Sequence, residues 1–419
     1  MTTPQALGLR KSFGFGDRLG LATPGHLAAL RRFPDFAGIF AQQSIRELTR
    51  TQRTPEEVMR AAQTALTAAG HAAPWGADGD HLKTPEDVQR VAAAGFCFFT
   101  IDPSAYVNNA ADTMDEAALL TEVAAQEADG LFTGFDWQDY YLNRVFNVSP
   151  RFAPFRFDEE SLFRAAVKYA RATAHAATMG ESIKQASAGR AFDIEVSVDE
   201  TDSPTTPLEH LFFALELQRR GVPNLVSLAP RFIGDFEKGI DYRGDLGKFE
   251  KQLRVHVAIS KFAGPYKISI HSGSDKFSAY PAIGRVCGNL LHVKTAGTSY
   301  LEALRVAARV NVPLFAEIAA FSRGCFETDR ASYHISATNE QVAALPAYRG
   351  VADEPAYLDD VAGRQLLHVT FGSVLTRGRT TQGRSFKEAL LETLERHAGL
   401  HAELLETHFV KHLALLTAG

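Results

Sequence analysis

The sequence is poor in cysteine and carries no pattern typical of export or membrane insertion. Its 419 residues include three cysteines, Cys97, Cys287 and Cys325, which lie far apart and form no CxxC pair. This spacing disfavours disulfide frameworks and thiolate zinc sites, and it favours a reducing compartment. The opening stretch MTTPQALGLRKSFGFG lacks the basic and then apolar pattern of a signal peptide, and no long apolar run follows. We therefore expect a cytoplasmic protein that does not enter a membrane.

A surplus of basic residues is also missing. The formal net charge is -5, with 45% hydrophobic and 22% charged residues, which is an ordinary composition for a globular protein. Nucleic acid is not expected as a partner, because no positive surplus is available for phosphates. The segment GFGDRLG (14–20) has GxGxxxG spacing, which differs from the dinucleotide fingerprint, and no Walker A motif occurs. We expect no nucleotide cofactor and interpret this segment as a turn that presents Asp17 and Arg18.

The sequence does contain a regular alternation of short apolar strands and capped helices. Two helices carry the start signals of a capping box, with Thr54 before Pro55 and Thr84 before Pro85. The strand-like segments lie near residues 8–14, 36–43, 74–81, 96–102, 192–200, 224–232, 266–273 and 290–297. Eight strands alternating with helices predict a (β/α)8 barrel of the TIM type. A doubly wound open sheet is the competing prediction, since it also alternates but needs no particular strand count.

The alternation is interrupted once and then ends. Residues 103–190 contain helical patterns without a comparable strand, so they predict a long helical insertion after strand 4. Its aromatic stretch, with Trp137, Tyr140 and Tyr141, fits a lid over a sugar ring, the core of the insertion or a subunit contact. We predict a barrel over residues 1–330 and a C-terminal helical extension over residues 331–419 that packs on the barrel.

Reactive side chains collect where the predicted strands end. Active sites of (β/α)8 barrels lie at the carboxyl ends of the strands. Any one of these residues could be a helix cap or a hydrogen-bonded core residue, but buried charges in such numbers must be paired or bound. The candidates along the chain are Arg18, Gln43, Asp80, His81, Asp102, Asp199, Glu200, His271, Asp275, Lys276, Lys294, Thr295, Thr298 and Ser299.

Two histidines and one carboxylate from separate strands make a plausible metal site. Neutral imidazoles together with an anionic oxygen suit Zn, Mn, Ni or Co. We select His81, His271 and Glu200 as the ligands. Strand alternation points Asp199 inward, whereas Glu200 lies just beyond the strand and has the longer side chain, so Asp199 stays an alternative to Glu200.

Several long motifs are similar to those of one known family. They are FAQQSIRE, GADGDHLK, FTIDPS, FDIEVSVDET, RFIGDFEKGIDYRGDL, YKISIHSGSDKFSAYP and HVKTAGTSYLEALR, in this order along nearly the whole chain. With them the sequence resembles the tagaturonate epimerase family of bacterial hexuronate catabolism. The resemblance implies a metal-dependent epimerase that interconverts D-tagaturonate and D-fructuronate, which differ at carbon 4 in ketose numbering. Related members accept tagatose and fructose, so the resemblance leaves the choice between a sugar acid and a neutral sugar open.

Carbon 4 is not adjacent to the carbonyl at carbon 2, so simple abstraction of an α-proton cannot invert it. A retro-aldol route breaks the bond between carbons 3 and 4, whereas a hydride route normally needs a nicotinamide. We favour the retro-aldol route, in which a metal acts as Lewis acid and a carboxylate moves the proton. The carboxylate candidates are Asp80, Asp102, Asp199 and Asp275.

Other candidates would bind the substrate. Arg18, Lys276 and Lys294 could bind a carboxylate, while Gln43, Thr295, Thr298 and Ser299 could bind hydroxyl groups. A metal-dependent ketose isomerase or class II-like aldolase on the same barrel is the first alternative, and a non-catalytic sugar-acid binding protein is the second. The sequence leaves the oligomeric state open, including a homo-oligomer.

Overall fold

Eight parallel strands close into a single barrel in the computed structural model, which describes residues 2–418. Each strand pairs with its neighbours along the chain, and β8 pairs with β1. The strands are β1 (Ser12–Gly16), β2 (Ala37–Ser44), β3 (Gly76–Leu82), β4 (Phe98–Ile101), β5 (Asp193–Ser197), β6 (Leu225–Ala229), β7 (Lys267–Ile270) and β8 (Leu291–Thr295). The predicted (β/α)8 barrel is confirmed, and closure excludes the open sheet.

Helices surround the barrel and continue beyond it. They are α1 (Thr23–Arg31), α2 (Ile45–Thr51), α3 (Pro55–Ala68), α4 (Pro85–Ala93), α5 (Glu116–Ala128), α6 (Trp137–Leu142), α7 (Glu159–Ser187), α8 (Pro207–Arg219), α9 (Leu246–Phe262), α10 (Tyr280–Cys287), α11 (Thr298–Val310), α12 (Val312–Arg330), α13 (Asn339–Ala343), α14 (Glu354–Leu358), α15 (Val361–Val369), α16 (Phe371–Thr376), α17 (Phe386–Arg396) and α18 (Ala398–Thr417). The capping boxes at Thr54 and Thr84 are formed as expected. Within residues 2–418, no helix is both long enough and apolar enough to pass through a bilayer.

The connection from β4 to β5 is helical, as expected. It contains two short 3-10 turns, α5 and α6 before the long helix α7, which packs between α4 and α8 on the outside of the barrel. Trp137 and Tyr141 are buried, and the Tyr141 hydroxyl donates to Glu216 of α8. The aromatic stretch is therefore part of the core beneath the insertion, and it attaches the insertion to the barrel.

The C-terminal region divides between two hydrophobic cores. Helices α11, α12 and α14–α17 supply most of a separate core that includes Tyr300, Phe315 and Leu366. In contrast, α18 packs between α1 and α10 and contributes to the core of the barrel. A Cβ at Gly284 of α10 would clash with the backbone of Leu416, which shows how closely these helices approach. The ring of helices is therefore completed by α18, whereas α11, the helix that follows β8, packs mainly into the second core.

Phe409 is the central contact of α18, and its loss should be costly. Its side chain is fully buried, with ring centroids 5.1 Å from Phe15 and 4.9 Å from His26. We expect Phe409→Ala to lower the free energy of unfolding by about 3–5 kcal/mol, since the cavity it leaves lies between well-packed elements. Urea denaturation measures the change. The exposed Thr407→Ala on the same helix is the control, expected within about 0.5 kcal/mol of the parent; equal losses for both variants would contradict this role.

Candidate active site

The interior of the barrel is filled with polar side chains. Interiors of such barrels are usually packed with branched apolar residues. Here the Lys267 ammonium group donates to Ser12 Oγ over 3.1 Å, and His292 Nδ1 lies 2.9 Å from the same oxygen. The buried polar residues on the strands include Ser12, Asp78, Thr100, Asp193, Glu195, Ser227, Lys267, Ser269, His292 and Lys294. Charges held this far from water must compensate one another, so the barrel encloses a polar network.

Lys294 is the centre of this network. Its Nζ lies 2.8 Å from Asp78 Oδ2, 2.7 Å from Asp80 Oδ1 and 2.9 Å from Glu195 Oε1. Burial alone would lower the pKa of Lys294, but the three carboxylates raise the pKa well above its usual range. Lys294 is therefore a permanent cation, and it holds together carboxylates from β3 and β5.

His81, Asp199 and His271 converge at the carboxyl ends of β3, β5 and β7. His271 Nδ1 lies 3.2 Å from Asp199 Oδ1, and His81 Nε2 lies 3.9 Å from the same oxygen. One ligand atom from each residue falls within 4.8 Å of the others. We call these three residues the histidine–aspartate triad. Two imidazoles and a carboxylate oxygen are a donor set that suits a divalent transition metal.

The outer nitrogen of each triad histidine faces a second carboxylate. Glu195 Oε1 lies 2.7 Å from His271 Nε2, and Asp80 Oδ1 lies 2.8 Å from His81 Nδ1. Metal-binding histidines typically donate their other N–H to a carboxylate, which fixes the ring and its tautomer. Burial opposes a charge on His271, yet the carboxylates of Asp199 and Glu195 raise its pKa to about 10. The surroundings favour a cation at the triad, so the residues present fit a metal.

Unusual backbone conformations direct two of the side chains at this end of the barrel. His81 has φ of 54° and Ser272, which follows His271, has φ of 49°, both in the left-handed region. The pairing of β3 with β4 shifts register between Gly79 and Leu82, around His81. Such strain persists only where surrounding contacts enforce it, and it concentrates at functional sites.

The structure groups Asp199, and not Glu200, with the two histidines. Glu200 lines the same cleft but lies 3.4 Å from Arg46, with 41% of its side chain exposed. Asp102, one of the predicted proton-transfer residues, lies outside the triad as well. It accepts a hydrogen bond from the Ser104 N–H and pairs with Lys83 at 3.2 Å, so it caps the turn that follows β4.

Asp275 and Lys276 fasten loops to one another and do not join the triad. Asp275 pairs with Arg364 at 2.8 Å and with His408 of α18 at 3.1 Å. The fully buried Lys276 ammonium group donates to the carbonyls of Ser274, Glu237 and Ile240 over 2.6–2.8 Å. This corrects the expectation that Lys276 binds a substrate carboxylate, since its three donors are already used. Lys294 is likewise occupied by its three carboxylates.

The remaining predicted residues are buried next to the site and have partners within the chain. Thr295 donates to the Gly14 carbonyl over 2.7 Å, and Ser299 lies 2.8 Å from His26. Thr298 Oγ1 lies 2.5 Å from His408 Nε2. Gln43 donates to Glu47 over 3.1 Å, and the same carboxylate pairs with Arg18. These contacts fix the loops after β1, β2 and β8 in position.

A cleft opens above the triad. Its inner cavity of about 60 Å³ reaches Lys294, Asp80 and the triad, and it shares several lining residues with an outer cavity of about 470 Å³. Arg46 also lines it, as do three residues that the sequence analysis did not select, namely Lys238, Tyr333 and His368. Glu195 was missed too, although strand alternation places it on the same face as Asp193 and Asp199 and could have identified it.

Comparisons with known proteins agree with this architecture. A family model described as tagaturonate epimerase matches residues 1–416. A Thermotoga maritima protein named tagaturonate/fructuronate epimerase is 45% identical in an alignment over 419 residues. The alignment covers 99% of this chain and 82% of that protein. Structures of fructuronate-tagaturonate epimerase from Cohnella laeviribosi, native and with glycerol, share 38% identity and a TM-score of 0.89, covering 99% of this chain and 83% of theirs.

The fold and these matches define an isomerase, a carbohydrate epimerase built on a TIM-type barrel. Its polar centre lies at the end of the barrel where such enzymes carry out their chemistry. The chain belongs to the tagaturonate epimerase family, as its long motifs indicated.

The Lys294 network yields a test in metal-free protein. We expect Lys294→Met to lower the free energy of unfolding by about 3–5 kcal/mol at pH 7.5, because three buried carboxylates lose their counter-charge. This loss in the free energy of unfolding should be smaller at pH 5. Without Lys294, the buried carboxylates bind protons more readily, and the repulsion between them falls as they become neutral. Urea denaturation in a chelator measures both values.

Lys83→Met is the matched control for this variant. Lys83 also pairs with a carboxylate, that of Asp102, but 53% of its side chain is exposed. We expect a change of about 1 kcal/mol or less, as is typical for exposed ion pairs. A Lys294→Met protein as stable as the control at pH 7.5 would show that Lys294 does not hold the site together.

Proposed function

We propose that this protein interconverts D-tagaturonate and D-fructuronate by inverting carbon 4, with a divalent metal held by His81, Asp199 and His271. The histidine–aspartate triad carries the proposal. Its inner nitrogens face a shared carboxylate oxygen, and its outer nitrogens are braced by Glu195 and Asp80. Membership of the tagaturonate epimerase family and the names of its relatives support the choice of substrate.

Zn, Mn, Ni or Co would each accept this donor set. Such an ion would supply Lewis acidity to the carbonyl and neighbouring hydroxyl oxygens of the sugar. The chain itself supplies the shape and charge of the cleft. Lys294 holds Asp80 and Glu195 in place, so both triad histidines keep one orientation throughout turnover. We further propose a cytoplasmic location, since Cys97, Cys287 and Cys325 are free thiols.

We propose the retro-aldol route for the inversion. A base removes the proton of the hydroxyl at carbon 4, and the bond between carbons 3 and 4 breaks. The electrons of this bond form an enediolate over carbons 2 and 3, while carbon 4 becomes an aldehyde. The aldehyde turns its other face to the enediolate, the bond forms again, and the proton returns to the new alkoxide. The fragments are the enediolate of dihydroxyacetone and tartronate semialdehyde, which together contain every atom of the substrate.

Asp80 is the proton acceptor that we favour among the four predicted carboxylates. It lines the inner cavity, whereas Asp102 and Asp275 are engaged elsewhere and Asp199 belongs to the triad. Burial would raise the pKa of Asp80, but His81 and Lys294 hold the pKa well below its usual range. The carboxylate is therefore ionised at neutral pH. Its low pKa makes it a weak base that gives a proton back readily, which suits the return of the proton to the new alkoxide.

Two neighbouring acids provide a test of the metal ligands. We expect Asp199→Asn to lower metal affinity at least about tenfold, because it removes the anionic ligand from the triad, and to lower kcat with it. Glu200→Gln should keep both metal content and kcat, since Glu200 faces Arg46. Metal content after dialysis and turnover of tagaturonate, with each divalent ion added back after chelation, measure these effects. The opposite ranking of the two variants would assign the ligand to Glu200.

The retro-aldol route predicts that the protein can join the two fragments. Labelled tartronate semialdehyde supplied together with dihydroxyacetone should appear in carbons 4–6 of newly formed hexuronates. During turnover of tagaturonate, the hydrogen on carbon 4 should be retained in water enriched with deuterium, since it stays on the aldehyde carbon. Retention of that hydrogen, with no hexuronate formed from the two supplied fragments, would instead favour the hydride route.

A further inference from the structure

Three side chains that can donate hydrogen bonds to an anion line the inner cavity. They come from elements that lie far apart in the chain. Arg18 follows β1, Lys238 lies in the loop between β6 and α9, and His368 lies on α15, and all three line the same cavity as the triad. Arg18 and His368 are 3% and 2% exposed, and Arg18 Nη2 lies 3.5 Å from His368 Nε2. We call them the Arg18–Lys238–His368 subsite.

The subsite has fewer negative partners than positive groups. Glu47 pairs with Arg18 through Nε over 3.0 Å, which leaves the two terminal nitrogens of the guanidinium group on the side of His368. Lys238 Nζ donates to Ser272 Oγ over 2.5 Å, and no carboxylate within residues 2–418 forms an ion pair with it. One positive charge therefore lacks a counter-charge, in contrast to the carboxylate-rich surroundings of the triad.

His368 contributes an unused polar atom. Its Nδ1 is buried and has no hydrogen-bond partner among the described residues. Burial, together with the positive charges of Arg18 and Lys238, lowers the pKa of His368 well below its usual value, so the ring stays neutral and keeps one N–H to donate. A buried donor without a partner costs free energy that a ligand can recover.

The first turn of α11 borders the same cavity. Gly297 is the residue before the helix, no side chain caps it, and Ala296 and Gly297 both line the cavity. A Cβ at Gly297 would clash with the His368 ring, so glycine lets the start of the helix approach the subsite. Free N–H groups at a helix N-terminus favour an anion, and they add to the two cations here.

From this geometry we propose, resting on the proposed function, that the Arg18–Lys238–His368 subsite binds the carboxylate of the hexuronate and retains the aldehyde fragment after bond cleavage. The carboxylate remains on the fragment made of carbons 4–6, tartronate semialdehyde. With that end held, rotation about the bond between carbons 4 and 5 turns the aldehyde over without its release. The subsite thus selects acidic substrates and keeps the cleaved state together.

A binding experiment tests the first half and needs no turnover. Glycerate resembles the acidic fragment, and glycerol replaces its carboxylate with a hydroxymethyl group. We expect the metal-loaded protein to bind glycerate at least about tenfold more tightly than glycerol by calorimetry, as a charge-assisted hydrogen bond allows. In Lys238→Met the affinity for glycerate should fall to about that for glycerol, while Lys238→Arg should keep the preference for glycerate.

Lys251→Met is the control, since Lys251 is an exposed lysine of α9 that does not line the cleft. It should bind both compounds as the parent does. A structural role of Lys238 would weaken glycerol and glycerate equally, and that outcome would overturn the proposal. Unchanged preference for glycerate in Lys238→Met would overturn it as well.

A turnover experiment tests the second half. Lys238→Met should epimerise tagaturonate with kcat/KM reduced tens of fold, and it should release dihydroxyacetone during turnover, whereas the parent and Lys251→Met release none. Dihydroxyacetone is followed with glycerol dehydrogenase and NADH. Turnover by Lys238→Met without release would overturn retention. A parent protein that prefers glycerate but does not epimerise tagaturonate would refute the proposed function and leave the anion subsite standing.

Discussion

The geometry of the barrel centre depends on the ammonium group of Lys294. Asp78, Asp80 and Glu195 would repel one another at these distances inside a medium of low polarity, and a single cation between them converts repulsion into attraction. Asp80 and Glu195 in turn fix the rings of His81 and His271. The orientation of both proposed metal ligands therefore depends on a lysine that need not touch metal or substrate. The apolar packing between strands and helices must supply the stability that this polar interior does not.

Strand periodicity was the most informative signal in the sequence, and it held as far as the strands themselves extend. It gave the eight strands of the barrel. β5 ends at Ser197, but alternation continued to Asp199 still placed it inward, where the structure groups it with the two histidines. Glu200 was preferred for its longer side chain, which instead pairs with Arg46. Beyond β7 the chain adopts left-handed conformations at Ser272 and Asp275. After these residues, the alternation of a strand no longer predicts the direction of a side chain. The residues past that point, including Lys276, therefore could not be oriented from the sequence.

The cationic side of the cleft was harder to foresee for a different reason. Lys238 comes from the loop after β6, and Tyr333 and His368 come from a region that the sequence analysis placed outside the barrel. Periodicity predicts which face of an element is buried, but not which distant loops meet. Such meetings are set by tertiary packing, here by the second hydrophobic core that brings α15 over the mouth of the barrel. The divided C-terminal region thus contributes to the cleft as well as to stability.

The position of α18 between α1 and α10 has a consequence for biosynthesis. Hundreds of residues separate α1 from the helix that covers it, so the ring of the barrel cannot be complete until residues 398–417 have left the ribosome. Contacts of such long range form late and slow the search for the native state. During translation the side chains of Phe13 and Phe15 therefore lack the aromatic contact that Phe409 makes with them in the folded protein, and they stay uncovered on this side until α18 has been synthesised.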